Sequence, residues 1–509
     1  MRIAIRADAA VALGSGHVMR CLALANGLQA RGAHLTFLCA ALTPSLEQLI
    51  HAHGHEIFRL PAGPELATEA SWPLQAQDAD AQASLQALGG SPAWDWLVVD
   101  HYGLGPPWET ALRAAAYRLL AIDDLARAHN CDVLLDVNHF EDAQARYHGR
   151  VPAAAVVLTG PRHALLRPEF ESNRRDVQPR SGPVRRLLVL LGGMDANNVT
   201  GRAIEAIGRL PQARDIDVDV VIGTAHPARA QLESLAATQP RLHLHVQSNE
   251  IAALCARADL AIGAGGGATW ERCCLGLPTL ALCLAPNQRE VLAAGARAGF
   301  LYVPDSESID ADTLAAHLQA LVDNSGLRGL LSRTGMALVD GQGVSRVADL
   351  MLRQAVTVRP ATASDSAALW AWRNAPRVRL ASRDSSPISA ESHHAWFTCA
   401  LAAPDRVLLV GERDGQPVGV VRFDLSAQDG TEVSIYLVPE DNARGSGSAL
   451  LAAAEAWLAR EHPQAPALVA HVMGDNTASH KLFERAGYAR VITCYSKELP
   501  TWNPQTASA

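Results

Sequence analysis

The chain has 509 residues, 49 % of them apolar, 19 % charged, with a formal net charge of −8 and mean hydropathy close to zero. That length exceeds one ordinary core and predicts about three domains at ~150 residues each. Dispersed arginines in a negative background exclude a general nucleic-acid binder, so any basic group that meets phosphate acts locally.

No apolar run is long enough to span a bilayer. Arg2, Arg6 and Asp8 interrupt what would be a signal-peptide core. Nine cysteines, an odd number without a Cys-x-x-Cys pair, predict reduced thiols and a cytoplasmic protein. Adjacent Cys273 and Cys274 read as packing residues.

In chain order, strands are predicted over 2–6, 34–38, 96–100, 119–122 and 133–136, with helices over 18–30, 46–53 and 108–115. This alternation implies a parallel sheet covered on both faces, with ligands at the carboxyl ends of its strands. The first strand and helix are joined by Gly14-Ser15-Gly16-His17-Val18-Met19-Arg20-Cys21. A glycine turn at a helix start admits an anion, and His17 there stands beside a sugar phosphate. The positive helix end lowers imidazole basicity, which suits a neutral base; a histidine that merely caps the turn is the alternative.

Polar residues close several of these strands: Asp100-His101-Tyr102, Asp123-Asp124, and Asp136 with Asn138. Each alone reads as a cap or turn residue, and together they read as a sugar-binding rim. Asp123 and Asp124 do not make a retaining glycosidase dyad, because neighbours on a strand point apart. His51, His53 and His55 read as one exposed stretch, and no metal site is expected.

Residues 171–183 read as a linker. A second α/β unit follows, with strands at 186–191, 218–223, 242–246, 260–263 and 279–284. The first of these ends in Gly192-Gly193-Met194-Asp195. The run Gly263-Ala264-Gly265-Gly266-Gly267 leads to Glu271. Such glycines let a diphosphate approach, and Glu271 suits ribose hydroxyls; a tight turn demanded by packing is the alternative. Asn287 and Gln288 lie where a loop would face the first domain. The fold class is therefore α/β, a GT-B-like pair of doubly wound domains (1–170 and 171–352), by architectural analogy.

A third, α+β domain covers 356–509. Strands 407–412 and 417–424 form a hairpin across Asp414-Gly415. Strand 433–438 leads through Arg444-Gly445-Ser446-Gly447-Ser448-Ala449 into a helix over 449–460. A strand over 467–472 and a helix from Asn476-Thr477-Ala478-Ser479 to Gly487-Tyr488 follow. The glycine turn can cradle a pyrophosphate.

These motifs carry two resemblances. Residues 1 to about 350 resemble the UDP-sugar hydrolase family of pseudaminic acid synthesis. The likeness rests on Arg6-Ala7-Asp8, Gly14 to Cys21, Val99 to Tyr102, Ile122 to Ala126, Gly160-Pro161, Ala164 to Phe170, Leu191 to Asp195, and Pro286-Asn287-Gln288. It departs at Ala10, where serine is usual, and at His163, where tyrosine is usual. The resemblance implies inverting hydrolysis of a UDP-diacetamido-trideoxy-altrose. His17 would be the base, Tyr102 and Asn287 would orient sugar or water, and Arg6, Asp8, Gly16, Gly192, Gly193, Asp195, Gly266, Glu271 and Gln288 would bind the UDP-sugar.

The last third resembles the GNAT acetyl-CoA-dependent N-acetyltransferases, and Trp372-Arg373-Asn374 with His394 to Phe397 resembles the sugar-amine acetyltransferase of the same pathway. Acetyl-CoA would meet Val438, Arg444, Gly445, Ser446, Gly447, Ser448, Ala449, Asn476 and Ser479. The tyrosine that usually serves as general acid is replaced by Phe483, which leaves Tyr436, Ser479 or solvent for that role, while Glu432 reads first as an exposed hairpin glutamate, with a base acting through water as the alternative. A bifunctional enzyme without metal is implied, taking a UDP-linked amino sugar, acetyl-CoA and water, with neither nucleic acid nor membrane as partner. The alternative is a GT-B glycosyltransferase carrying a non-catalytic GNAT-like binding module.

Overall fold

The computed structural model describes residues 1–9, 14–64, 72–89, 94–192, 195–305, 310–353, 356–382, 384–413, 415–425, 430–439, 446–465, 467–473 and 476–489. The chain divides into two compact units that part between Val356 and Thr357.

In the first unit, seven strands form one parallel sheet: β1 (Arg2–Ala7), β2 (His34–Cys39), β3 (Glu56–Arg59), β4 (Trp94–Asp100), β5 (Ala116–Ile122), β6 (Val133–Asp136) and β7 (Val156–Thr159). Their spatial order is β3-β2-β1-β4-β5-β6-β7. Ile3 and Ile5 face one apolar cluster, while Ala4, Leu97 and Val99 face another. Burial on both faces is why these strands read as continuous apolar runs.

Five more parallel strands follow: β8 (Arg186–Leu190), β9 (Asp217–Ile222), β10 (Leu242–Val246), β11 (Leu260–Ala264) and β12 (Thr279–Leu282), ordered β10-β9-β8-β11-β12. Each sheet reverses its direction of growth beside its first strand, at β1/β4 and at β8/β11. Such switch points open a crevice beyond the strand ends. Together the sheets give two Rossmann-like halves, the GT-B-like arrangement.

The expected linker is pinned rather than free. Arg174 donates to the carbonyls of Cys274 and Met336, and Arg180 donates to those of Cys255, Ala256 and Ala258. Helix Gly343–Arg353 returns to the first half and packs on helix Gly16–Gln29. A Cβ at Gly27 would lie 2.3 Å from Val344 Cγ1, so the two helices meet at close range.

In the second unit, β13 (Thr357–Pro360), β14 (Arg406–Arg413), β15 (Gln416–Asp424), β16 (Thr431–Leu437) and β17 (Leu468–Val469) form one sheet in that order. β13/β14 and β15/β16 are antiparallel, and β16/β17 is parallel. Helix Ser446–Glu461 lies on this sheet. Side chains at Gly411 and Gly419 would collide with Leu450, so both glycines serve that close approach. Among the described residues no helix is long and apolar enough to cross a membrane.

Candidate active site

His17 sits in the first turn of helix Gly16–Gln29, immediately after β1, and Asp100 closes the neighbouring strand β4. The switch point brings them together, with His17 Nδ1 2.5 Å from Asp100 Oδ1. Arg20, one turn further along the same helix face, donates to both Asp100 oxygens at 2.6 Å, and Cys21 Sγ adds a contact at 3.5 Å. Burial alone would raise the Asp100 carboxyl, but the charges of Arg20 and His17 outweigh it and hold Asp100 well below the usual carboxylate range. Facing an ionised Asp100, Nδ1 is the ring nitrogen placed to carry a proton.

The Tyr102 ring meets the His17 ring edge-on, with centroids 4.7 Å apart. Its hydroxyl donates to Asp124 Oδ2 at 3.1 Å. Arg127 holds the backbone beneath, donating to the carbonyls of Tyr102 (2.6 Å) and Leu104 (3.1 Å) and to Asp123 (2.7 Å). Sequence reasoning placed Asp100 and Asp124 only on a rim and passed over Arg20 and Arg127. The three-residue spacing from His17 to Arg20 was the one available signal.

Arg6 and Asp8, expected at the UDP-sugar, are both engaged within the protein. Arg6 is fully buried, paired with Asp8 at 2.7 Å and Asp80 at 2.8 Å. Asp8 accepts from the amides of Ala40 and Ala41 and lies 3.2 Å from His101 Nε2. They form an internal ion network beneath the site. His55 is likewise buried, 2.8 Å from Asn26, and does not belong to an exposed histidine stretch.

In the second half, Gly192 lies two residues beyond β8 at φ +96° with open space where a Cβ would sit. Gly193 lies outside the described residues. Asp195 is engaged within the protein, accepting from the amides of Val199 and Thr200 at the start of helix Val199–Gly208, with His226 at 3.3 Å. That is a helix-start role. After β11 the glycines divide. A Cβ at Gly265 would strike Leu292, so that glycine serves packing, whereas Gly266 and Gly16 have space above them.

Glu271 lies 3.8 Å from Arg167, and burial raises its carboxyl against the opposing arginine charges. Gln288 Oε1 accepts from the Leu284 amide at 3.0 Å, and its Nε2 borders Gly266. Asn287 precedes helix Gln288–Arg297 with a buried, unpartnered Oδ1. This helix is tied to the first half. Arg146 bonds Glu290 at 2.6 Å with its Nε 4.0 Å from Asp136, and His139 packs on Phe300. Asn287 thus lies one turn before a direct link to the edge that carries Asp136.

In the second unit, β16 and β17 pair only at Thr431–Leu468 and Glu432–Val469, which shortens the expected strand over 467–472. Val438 continues beyond β16, its amide donating to Val418. Ser446, Gly447, Ser448 and Ala449 open helix Ser446–Glu461, with Ser446 and Ser448 buried; Arg444 and Gly445 lie outside the described residues. Asn476 caps helix Thr477–Arg485 by accepting from the Ser479 amide at 3.0 Å, so its Oδ1 has a structural role. Tyr436 lies on β16, its phenol pushed up by burial against the nearby Arg373 and Arg422 charges. Phe483 is buried against Tyr488, whose hydroxyl bonds Glu455.

Among the described residues no group of acidic, histidine or cysteine side chains is arranged to hold a metal.

Residues 355–489 match the family model for the acetyltransferase (GNAT) domain. The chain is 29 % identical over 196 residues to the spore coat polysaccharide biosynthesis protein SpsG of Bacillus subtilis, covering 38 % of this chain and spanning 58 % of that relative's length. It is 23 % identical over 301 residues to the UDP-2,4-diacetamido-2,4,6-trideoxy-beta-L-altropyranose hydrolase of Campylobacter jejuni, covering 59 % of this chain and 98 % of that protein. An uncharacterized protein of Methanocaldococcus jannaschii is 22 % identical over 96 % of this chain and 97 % of its own. The chain therefore joins a part similar to a nucleotide-sugar hydrolase to a GNAT acetyltransferase domain.

Proposed function

We propose that the chain is a bifunctional nucleotide-sugar enzyme of pseudaminic acid synthesis. Its GNAT domain transfers acetyl from acetyl-CoA to a UDP-4-amino-dideoxy sugar. Its first unit hydrolyses the resulting UDP-diacetamido-trideoxy-altrose to free sugar and UDP, with inversion. The observation that carries this reading is the His17–Asp100 pair at the switch point of the first sheet, in a chain similar to a hydrolase of that specificity.

In the hydrolytic step, His17 Nε2 takes a proton from water as the oxygen attacks the anomeric carbon. The bond to the β-phosphate oxygen breaks and its electron pair leaves with UDP. Asp100 holds the imidazole in the required tautomer and balances the imidazolium that forms, as a positioning residue. Tyr102 and Asn287 orient sugar or water, Gly16, Gly192, Gly193 and Gly266 allow the phosphates close to backbone donors, and Glu271 and Gln288 hold the nucleoside. In the acetyl transfer, the sugar amine attacks the thioester carbonyl and Tyr436 returns a proton to the departing thiolate. Acetyl-CoA lies along Val438 and residues 444–449, with Asn476 and Ser479 bordering it.

The deciding experiment is an NMR time course on a panel of UDP-sugars with and without acetyl-CoA. Free diacetamido sugar of inverted configuration with UDP is expected. UDP release that depends on an added sugar or lipid acceptor would overturn hydrolysis in favour of glycosyl transfer, and no consumption of acetyl-CoA would reduce the GNAT domain to a binding module.

A further inference from the structure

We propose that Asp124 is a specificity-determining residue that accepts a hydrogen bond from the amide N–H of the sugar's nitrogen substituent, an assignment that rests on the hydrolase reading above. A carboxylate offers about four acceptor positions. Among the described residues Asp124 accepts one hydrogen bond, from Tyr102 to Oδ2. Arg20 Nη1 stands 3.6 Å from that same Oδ2, an ion pair beyond hydrogen-bond distance, and nothing reaches Oδ1. Oδ1 has no partner although it is buried, while the side chain as a whole keeps 19 % exposure.

An under-coordinated carboxylate beside a catalytic imidazole calls for a donor from outside the protein. The other buried acceptor without a partner in this region, Asn287 Oδ1, has the same polarity. A sugar whose substituents present N–H groups meets that demand. An amide N–H donates only, whereas a hydroxyl donates or accepts, and this difference makes the assignment testable.

Asp124→Asn keeps size and keeps an oxygen for Tyr102 while presenting an NH2 to the ligand. The experiment measures kcat/KM for UDP release, and Kd by calorimetry, for a UDP-diacetamido sugar and for the matched sugar with hydroxyls in place of the acetamido groups. In Asp124→Asn the acetamido substrate is expected to lose ~30-fold or more, while the hydroxyl sugar changes by less than ~3-fold, because the hydroxyl can reverse its bond. Tyr102→Phe, which leaves the carboxylate in place, is expected to weaken both sugars alike. A thermal melt monitors folding of each variant. Equal losses for both sugars in Asp124→Asn, or no loss for either, would overturn the assignment. If the wild-type protein binds both sugars but releases no UDP, the hydrolase reading fails instead, and the ratio of the two Kd values still decides the role of Asp124.

Discussion

The hydroxyl of Tyr147 lies 3.1 Å from Asp136 Oδ2 and equally 3.1 Å from Asp123 Oδ2, so one hydrogen faces two carboxylates. The crowded acceptors favour a second proton on the pair. Asp123 is held ionised, because His129 and Arg127 outweigh its burial. Asp136 carries the proton: burial first, and the neighbouring Asp124 and Asp123 charges, raise its carboxyl to about 7 against the opposing bonds from Asn138 and Tyr147.

A raised acid group binds its proton more tightly in the folded chain than in the unfolded one. The associated stability is complete below about pH 4 and is lost as pH rises towards 7. Asp136→Asn, which fixes the neutral form, is expected to remove that slope and to melt above wild type at pH 8. The gain is on the order of a few kcal/mol. Parallel melting curves of the two proteins from pH 4 to 8 would count against the protonated assignment.

His129 gives a second pH signature at higher values. Burial disfavours its charged form, but the close approach of Asp123 (3.5 Å), the hydrogen bond to Glu109 and both carboxylate charges prevail and raise it to about 9. The stability from this imidazolium is fully present below about pH 6.5 and disappears as pH climbs through 9. His129→Gln is expected to be less stable at pH 6 and to show a flatter profile from 6.5 to 9. Denaturant titrations at four pH values in that window measure it.

For the proposed hydrolysis, His17→Ala is expected to abolish UDP release and leave acetyl transfer intact. Asp100→Asn should lower kcat by ~10²–10⁴-fold, with a smaller effect on KM, because the imidazole loses its tautomer control. Steady-state kinetics of both half-reactions on the same preparations test this. A His17→Ala protein with undiminished hydrolysis rules out the base.

The glycine loop after β11 separates packing from binding. Gly265→Ala should destabilise the fold by ~1–3 kcal/mol, because its methyl group meets Leu292. Gly266→Ala should fold normally, since the nearest atom, Gln288 Nε2, would lie 3.9 Å away, yet it should bind UDP more weakly. Urea melts and calorimetry with UDP distinguish the two.

For acetyl transfer, Tyr436→Phe is expected to lower kcat by ~10²-fold or more without changing UDP release. An unchanged rate of thiol production from acetyl-CoA would return the acid role to Ser479 or solvent.

Much of this architecture was legible because buried parallel strands leave apolar runs that punctuation residues delimit. β6 matches its expected span at both ends, and β1, β4 and β8 end within one residue of theirs. Helix Leu74–Leu88 escaped notice because its buried face includes Gln77, Asp80 and Ser84, so no apolar stripe marks it. β3 and β7 are four-residue strands that are only partly buried, unlike the equally short but fully buried β6. His17 was visible through its glycine turn. Its partner Asp100 was not, because the pairing depends on β1 and β4 lying side by side across more than eighty residues of chain. The burial of Arg6 and Asp8 was hidden for a related reason: charge in a motif says nothing about which way a strand turns it.

Helix Gly343–Arg353 locks onto the opening helix with Val344 seated at Gly27. The two halves of the first unit are therefore joined by two crossings of the chain, the arginine-pinned stretch at 171–183 and this returning helix. A fragment cut at 170 would leave the amino-terminal sheet without one of its covers.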